Sequence, residues 1–106
     1  MKIETVSETC RKIRSEVGKV VVGKDQVIRK IMLGVLTNSH ILIEDFPGLA
    51  KTMMARTLAA TTRCTFSRVQ FTPDLLPADI TGTYIYNQKA GDFEFRKGPI
   101  FTNILL

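Results

Sequence analysis

Apolar positions in the first third of the chain recur at helical spacing and predict two helices. The TVSE of residues 5–8 fits a capping box, and Gly18 is predicted to end the first helix. Residues 19–23 are then expected to form an extended linker. A second helix is predicted from Lys24 and ends in the polar residues 37–39. The apolar positions of the two predicted helices are Val6, Cys10, Ile13 and Val17, then Val27, Ile28, Ile31, Met32, Val35 and Leu36.

The middle of the chain changes to a strand, helix and strand pattern. HILI at 40–43 is an almost continuous apolar run, which is typical of a parallel strand buried on both faces. A helix is predicted from Lys51 to about residue 62, and FSRVQF at 66–71 is predicted to form a second strand. The core positions of this predicted helix are Met54, Ala55, Leu58 and Ala59. This order predicts a βαβ unit and therefore a parallel sheet.

The last third is predicted to contain a β-hairpin. Prolines and Gly82 interrupt TPDLLPADITG, so this stretch is predicted to be loop with at most a short helical piece. YIY at 84–86 and FEF at 93–95 are separated by the turn-forming NQKAGD, which favours a hairpin. Residues 101–106 are predicted to begin another core strand. A compact domain rarely ends on such an apolar run, so we expect residues 1–106 to be the front part of a larger domain.

The segment EDFPGLAKT resembles a phosphate-binding loop, G-x-x-x-x-G-K-[ST], with Asp45 and Ala50 at the two glycine positions. In such loops the lysine contacts the β and γ phosphates, and the Ser or Thr holds Mg²⁺. If Ala50 needs a positive φ, the cost is on the order of 1 kcal/mol. Charge-assisted bonds to phosphate, each about 1.5–3 kcal/mol, outweigh that cost. A strand–helix turn with an incidental Lys51-Thr52 remains the structural alternative.

Composition and charge narrow the function only slightly. The chain has 106 residues and a formal net charge of +5, but its basic residues are scattered and no aromatic residues alternate with the densest basic clusters. Solvated helix faces are therefore favoured over a nucleic-acid surface. Cys10 and Cys64 are expected to be thiols in a reducing compartment. Neither a membrane span nor a secretory signal is predicted.

Several blocks of the sequence together resemble the MoxR-type AAA+ ATPases. The resemblance runs over residues 22–106 and includes VVGKDQVI, HILIEDFPGLAKT, RVQFTPDLLPADITG and GPIF. It implies an α/β fold, the P-loop NTPase (AAA+) three-layer α/β/α sandwich with a parallel sheet, here truncated. The predicted hairpin would be the β-hairpin insertion in helix 2 of that core. Residues 1–23 would form an N-terminal helix and linker, and 24–106 the core through Walker A.

The resemblance also implies a site for ATP and Mg²⁺. The phosphates would lie on residues 47–52, where Lys51 would contact the β and γ phosphates and Thr52 would coordinate Mg²⁺. Val21 would lie near the adenine together with the next two residues. The nucleotide-binding residues implied in this way are Val22, Gly23, Asp45, Phe46, Pro47, Gly48, Leu49, Ala50, Lys51, Thr52 and Met53.

The family further implies a cytoplasmic, hexameric and chaperone-like ATPase that acts on partner proteins, including von Willebrand A-domain proteins. Its Walker B acids would follow Leu106, so no catalytic residue is expected within residues 1–106, and this stretch alone is expected to be inactive. The alternative is a non-hydrolysing nucleotide-binding regulator or scaffold. A DNA remodeller and a small-molecule kinase explain the sequence less well.

A few polar residues have both a structural and a functional interpretation. His40 is expected to be packed or hydrogen-bonded, and Glu44 to have a structural role at a strand end. Asp74 and Asp79 could pair for acid–base chemistry, but the neighbouring prolines favour turn bonds or helix caps. The family resemblance alone implies a functional alternative for residues 70–82, which would form a subunit contact or communicate the nucleotide state. The cations Arg68, Arg96 and Lys97 are expected to be solvated.

Overall fold

The computed structural model describes residues 2–44 and 51–106, which fall into two compact units, Met1–Arg63 and Cys64–Leu106. The first unit contains the helices α1 (Ile3–Val20), α2 (Asp25–Leu36) and α3 (Lys51–Thr62). The second contains β1 (Phe66–Ser67), α4 (Pro77–Thr81), β2 (Gly82–Asn87), β3 (Asp92–Lys97) and β4 (Ile104–Leu105). No helix within the described ranges is long and apolar enough to cross a membrane.

Apolar side chains from α1, α2 and α3 form the core of the first unit. Among the described residues, the buried apolar side chains are Val17, Val21, Ile28, Met32, Met54, Leu58 and Ala59. Each of the larger ones stabilises the fold by roughly 1.5–3 kcal/mol. All except Val21, which belongs to the predicted extended linker, lie at the helical spacings expected from the sequence. The predicted bounds of α2 and α3 are confirmed.

The prediction that Gly18 ends α1 is wrong. The helix continues through Gly18 to Val20, and the Val21 N–H donates to the Val17 carbonyl at 2.9 Å. Val17 and Val21 lie one turn apart and are only 2% and 4% exposed. Packing of these two side chains outweighs the cost of a helical glycine, about 1 kcal/mol. The chain turns instead at Gly23, whose φ is +80°.

The predicted capping box at the start of α1 is also wrong. The helix begins at Ile3, two residues before Thr5, and Lys2 is its N-cap residue. The N–H groups of Thr5 and Val6 already donate to the Lys2 carbonyl, at 3.1 and 3.2 Å. Glu4 supplies the negative charge that favours a helix N-terminus, so no side-chain cap from Thr5 is needed.

Residues 40–43 do not form the predicted strand buried on both faces. The segment has no strand assignment, and the side chains of Ile41 and Leu42 are 45% and 83% exposed. His40 is exposed rather than packed. A parallel strand becomes buried only when neighbouring strands bond both of its edges, and no described residues pair with this run in a ladder.

The second unit contains a parallel pairing of two very short strands, which lie within the predicted strand segments 66–71 and 101–106. Residues 40–43 form no strand, so the predicted βαβ unit is not formed among the described residues. β1 pairs with β4, with Phe66 opposite Ile104. Ladder bonds continue to the Val69 N–H, which donates to the Leu106 carbonyl at 2.8 Å. The strand is shorter than the predicted 66–71, and Phe71 is 76% exposed. Asn103 aligns the pair, since its Oδ1 accepts from the backbone N–H and Oγ1 of Thr65 at 3.0 and 2.9 Å.

The hairpin is confirmed and is attached closely to α4. β2 and β3 pair antiparallel, with Tyr84 opposite Phe95. At the base of the hairpin, the Ile100 N–H donates to the Ile80 carbonyl at 3.1 Å. Gly98 therefore lies against the backbone of Ile80 in α4. A Cβ on Gly98 would collide with the Ile80 carbonyl oxygen. Glycine is therefore required at this crossing of the hairpin and α4.

Replacing Gly18 with alanine should stabilise the first unit. The position is helical and a Cβ there meets no atom within 4 Å. We expect Gly18→Ala to raise the free energy of unfolding by about 0.5–1 kcal/mol, measured by urea denaturation. A decrease would mean that α1 does not continue through residue 18.

The same substitution at Gly98 should have the opposite effect. Because the new methyl group meets backbone that cannot rotate away, we expect Gly98→Ala to lower the free energy of unfolding by about 2 kcal/mol. Hydrogen exchange of the β2 and β3 amides would locate the loss in the hairpin. Gly18→Ala is the matched control, and equal effects of the two changes would contradict the close approach at Gly98.

Candidate functional site

The structure describes five of the eleven predicted nucleotide-binding residues. Lys51, Thr52 and Met53 lie in the first turn of α3, where Lys51 and Thr52 are half-buried and Met53 is exposed. Val22 and Gly23 lie in the turn after α1, and both are exposed, whereas the preceding Val21 is buried. Residues 45–50, with the predicted positions Asp45, Phe46, Pro47, Gly48, Leu49 and Ala50, lie outside the described residues. Their roles remain predictions.

A cleft of about 260 Å³ lies in the first unit beside the start of α3. Its walls come from one face of α2, the segment 41–44, and the first turn of α3. The lining residues are Lys24, Val27, Lys30, Ile31, Ile41, Leu42, Ile43, Glu44, Lys51 and Met54. Of the five described predicted residues, only Lys51 lines this cleft. Val22, Gly23, Thr52 and Met53 are not among its walls.

The cleft wall depends on a close contact between Gly34 of α2 and Ile41. A Cβ at residue 34 would lie 2.6 Å from the Ile41 side chain, so the glycine lets the segment 41–44 approach α2. On α3, Met54 is buried and also lines the cleft, and Lys51 lies one turn before it on the same face. Core packing of Met54 therefore orients Lys51 into the cleft.

Positive charge predominates around the cleft. The sequence interpretation missed Lys24 and Lys30, which line it together with Lys51, while Glu44 is the single acid among the described lining residues. The sequence did contain a signal that Lys24 lies on the cleft face, because Lys24, Val27 and Ile31 follow one another at helical spacings of three and four. The arrangement of three lysines beside apolar side chains suits a ligand that is anionic at one end and apolar at the other.

The first turn of α3 differs electrostatically from those of the other helices. α1, α2 and α4 carry Glu4, Asp25 and Asp79 in their first turns, whereas α3 carries no acid there and begins with Lys51. A helix N-terminus has a partial positive charge and N–H groups without intrahelical partners. With Lys51 in place of an acid, the first turn of α3 is suited to attract an external anion.

These residues fit an ATP–Mg²⁺ ligand. Lys51 in the cleft wall suits phosphate oxygens, whereas Val22 and Gly23, the residues implied to lie near the adenine, are not in that wall. The Thr52 hydroxyl is a neutral oxygen of the kind that Mg²⁺ accepts together with phosphate and water ligands. Within 2–44 and 51–106, no three His, Cys, Asp or Glu side chains converge on a point, so a protein-only metal cage is not formed there.

Asp74 and Asp79 act locally in the second unit and do not form a catalytic pair. The Asp79 carboxylate accepts the Leu76 N–H at 2.9 Å and so caps α4. The Thr72 hydroxyl donates to Asp74 Oδ1 at 2.7 Å. This bond, with the backbone N–H of Asp74, lowers the pKa of the carboxyl below 3.8. The preferred interpretation of both acids as turn and cap residues is confirmed. Cys10 and Cys64 are half-buried thiols, also as expected.

The comparisons with known proteins identify the family. Residues 40–106 match the ATPase family associated with various cellular activities (AAA). The chain is 49% identical over 90 residues to the uncharacterized protein YeaC of Bacillus subtilis (strain 168), which covers 85% of this chain and 28% of YeaC. It is 46% identical over 91 residues to Chaperone MoxR1 of Mycobacterium tuberculosis (strain ATCC 25618 / H37Rv), covering 86% and 24%.

A solved structure agrees with these relatives. The crystal structure of a candidate ATPase from Cytophaga hutchinsonii ATCC 33406 superposes with a TM-score of 0.72 at 47% identity, covering 97% of this chain and 33% of that one. The chain therefore belongs to the AAA ATPase family. Within that family it is of the MoxR type, and the predicted α/β AAA+ fold class is confirmed. The chain spans about a quarter to a third of the length of these proteins.

The Asp74 carboxyl gives a prediction about pH. Because its pKa is lower in the folded state, its contribution to stability is complete above about pH 4 and is lost as the pH falls through the lowered value. We expect Thr72→Val to raise this pKa toward 3.8, as followed by NMR titration of the Asp74 side chain. Thr83→Val on β2 is the control and should leave the titration unchanged. A wild-type value in Thr72→Val would mean that the Thr72 hydroxyl does not cause the shift.

Proposed function

We propose that the complete protein is a MoxR-type ATPase that binds ATP with Mg²⁺ beside the first turn of α3. The observation that carries the proposal is the position of Lys51, which lines a basic cleft from a helix turn that contains no acid. The match of residues 40–106 to the ATPase family supports it independently of that geometry. ATP supplies the phosphoanhydride bond whose hydrolysis releases free energy.

The chain's own residues have binding roles in this proposal. Lys51 balances phosphate charge, and the N–H groups of the first turn of α3 donate to phosphate oxygens. The Thr52 hydroxyl is the proposed Mg²⁺ ligand. Val22 and Gly23 are proposed to lie near the adenine, and Met53 belongs to the same proposed site. Residues 45–50 complete the phosphate loop in the proposal.

We extend the proposal to the biological role of the complete protein. One relative is named a chaperone, which supports an ATPase that remodels or matures other proteins. The family resemblance supports a cytoplasmic, homo-oligomeric and hexameric assembly with von Willebrand A-domain proteins among its partners.

Lys51→Ala should weaken ATP binding by about 10- to 100-fold, because one or two charge-assisted bonds to phosphate are lost. The measurement is calorimetric titration of the complete protein with ATP and MgCl₂, with circular dichroism to confirm folding. Lys12→Ala is the matched control, since it also removes one lysine charge but from an exposed position on α1. Equal ATP affinity of Lys51→Ala and wild type would exclude the phosphate role of Lys51.

The same preparation also separates hydrolysis from binding alone. Steady phosphate release by the wild-type protein, abolished in Lys51→Ala, is expected for an ATPase. Tight ATP binding without phosphate release would instead identify a nucleotide-binding regulator or scaffold.

A further inference from the structure

An ion pair in the first unit joins α1 to the first turn of α2. Arg14 Nη2 donates to both carboxylate oxygens of Asp25, at 3.0 and 2.8 Å. The two residues lie on different helices, so the pair fixes one element against another. The ion pair between Lys19 and Glu16 differs in this respect, because both of its members belong to α1.

Packing orders the arginine side of this pair before the two charges meet. Arg14, Val17 and Val21 follow one another at spacings of three and four, so Arg14 continues the buried face of α1 by one turn. Its side chain is only 33% exposed, whereas that of Asp25 is 70% exposed. Exposed ion pairs contribute little, partly because two mobile side chains must be ordered. Since Arg14 is already covered, the pair locates Asp25 at a smaller entropic cost.

Residues 22–24, which we call the interhelical turn, have little packing of their own. On one side of the turn, Val21 is 4% exposed and its N–H donates to a carbonyl of α1 at 2.9 Å. On the other side, Asp25 begins α2. Within the turn Val22 is 82% exposed, and a Cβ at Gly23 would meet no described atom within 4 Å. The position of the turn therefore depends on the two residues that flank it.

The ion pair supplies the second of these two anchors. Each residue spans at most about 3.6 Å, so three residues between two fixed points have few positions available. Gly23, at a φ of +80°, is the position about which the turn could rotate if its second end were free. Ile28 is the first buried residue of α2, so the core does not hold the preceding turn of that helix. The bond from Arg14 to Asp25 holds it instead.

We propose that Arg14 and Asp25 are positioning residues for nucleotide binding, because their ion pair holds the interhelical turn where Val22 and Gly23 meet the base of a bound nucleotide. Neither charged side chain touches the nucleotide. Recognition of the phosphates belongs to the first turn of α3, on a different helix, so loss of the pair affects the base more than the phosphates. This role rests on the proposed function, since it requires a nucleotide at this site.

The test compares ATP with tripolyphosphate, which carries the phosphates but no base. Each ligand is titrated with MgCl₂ into the complete protein by calorimetry. We expect Arg14→Gln to weaken ATP binding by about fivefold, near the upper limit for a partly exposed ion pair. Tripolyphosphate binding should weaken by less than about twofold, because Lys51 is unchanged. A purely structural defect would weaken both ligands equally, so the difference between them identifies positioning.

Lys19→Gln is the matched control. It also removes one cation from α1 and breaks an ion pair, at 2.7 Å to Glu16, but that pair holds no second helix. We expect it to bind both ligands as the wild type does. Asp25→Asn is the second variant, and its exposed position keeps the test valid if Arg14→Gln does not fold. Combining Asp25→Asn with Arg14→Gln should weaken ATP binding no further than Arg14→Gln alone, because the two side chains act as one unit.

Three results would overturn the positioning role: unchanged ATP affinity in the single variants, equal losses for ATP and tripolyphosphate, or additive losses in the double variant. Lys51→Ala, titrated alongside, tests the proposed function separately, because it should weaken the binding of both ligands. If Lys51→Ala weakens both and Arg14→Gln weakens neither, the positioning role fails while the phosphate role of Lys51 stands. Absence of ATP binding by the wild-type protein would overturn the proposed function and the positioning role together.

Discussion

The packing of α3 against α1 is the contact on which the candidate site depends. Met54, Leu58 and Ala59 are buried on one face of α3, and the burial of Met54 determines which way the preceding turn faces. Lys51 lies on that face and so reaches the cleft. Since protein interiors are closely packed, a rotation of α3 would leave a void at Met54 and turn Lys51 away. Stability and the orientation of Lys51 are therefore coupled through this single helix face.

The second unit has a different physical basis. Among its described residues none is buried as completely as the core of the first unit, and its order comes from hydrogen bonds and close backbone approach. Asn103 joins the starts of β1 and β4 through Thr65, and Gly98 permits the hairpin to lie against α4. This construction leaves the rings of the hairpin accessible.

Local patterns were sufficient for several elements. The apolar spacing in α2 and α3 and the turn residues between 87 and 92 act over only a few residues, and the structure agrees with them. The first helix was predicted less well. Gly18 has the local properties of a helix end, but Val17 and Val21 on either side of it are buried, and α1 packs against α2 and α3. Burial of the two valines keeps residue 18 helical. Predicting a helix end from the glycine and its sequence neighbours leaves out the free energy gained by burying these two valines.

The sequence by itself determined the family, the amphipathic helices, the hairpin and the lysine of the candidate site, because each depends on residue types at short fixed spacings. Tertiary structure alone decided that residues 40–43 lie exposed as a cleft wall, since strand pairing requires distant partners. It also decided that Lys24 and Lys30 line the cleft beside Lys51, and that the hairpin rings face outward. Those features depend on which surfaces meet, and that follows from the packing of the whole chain.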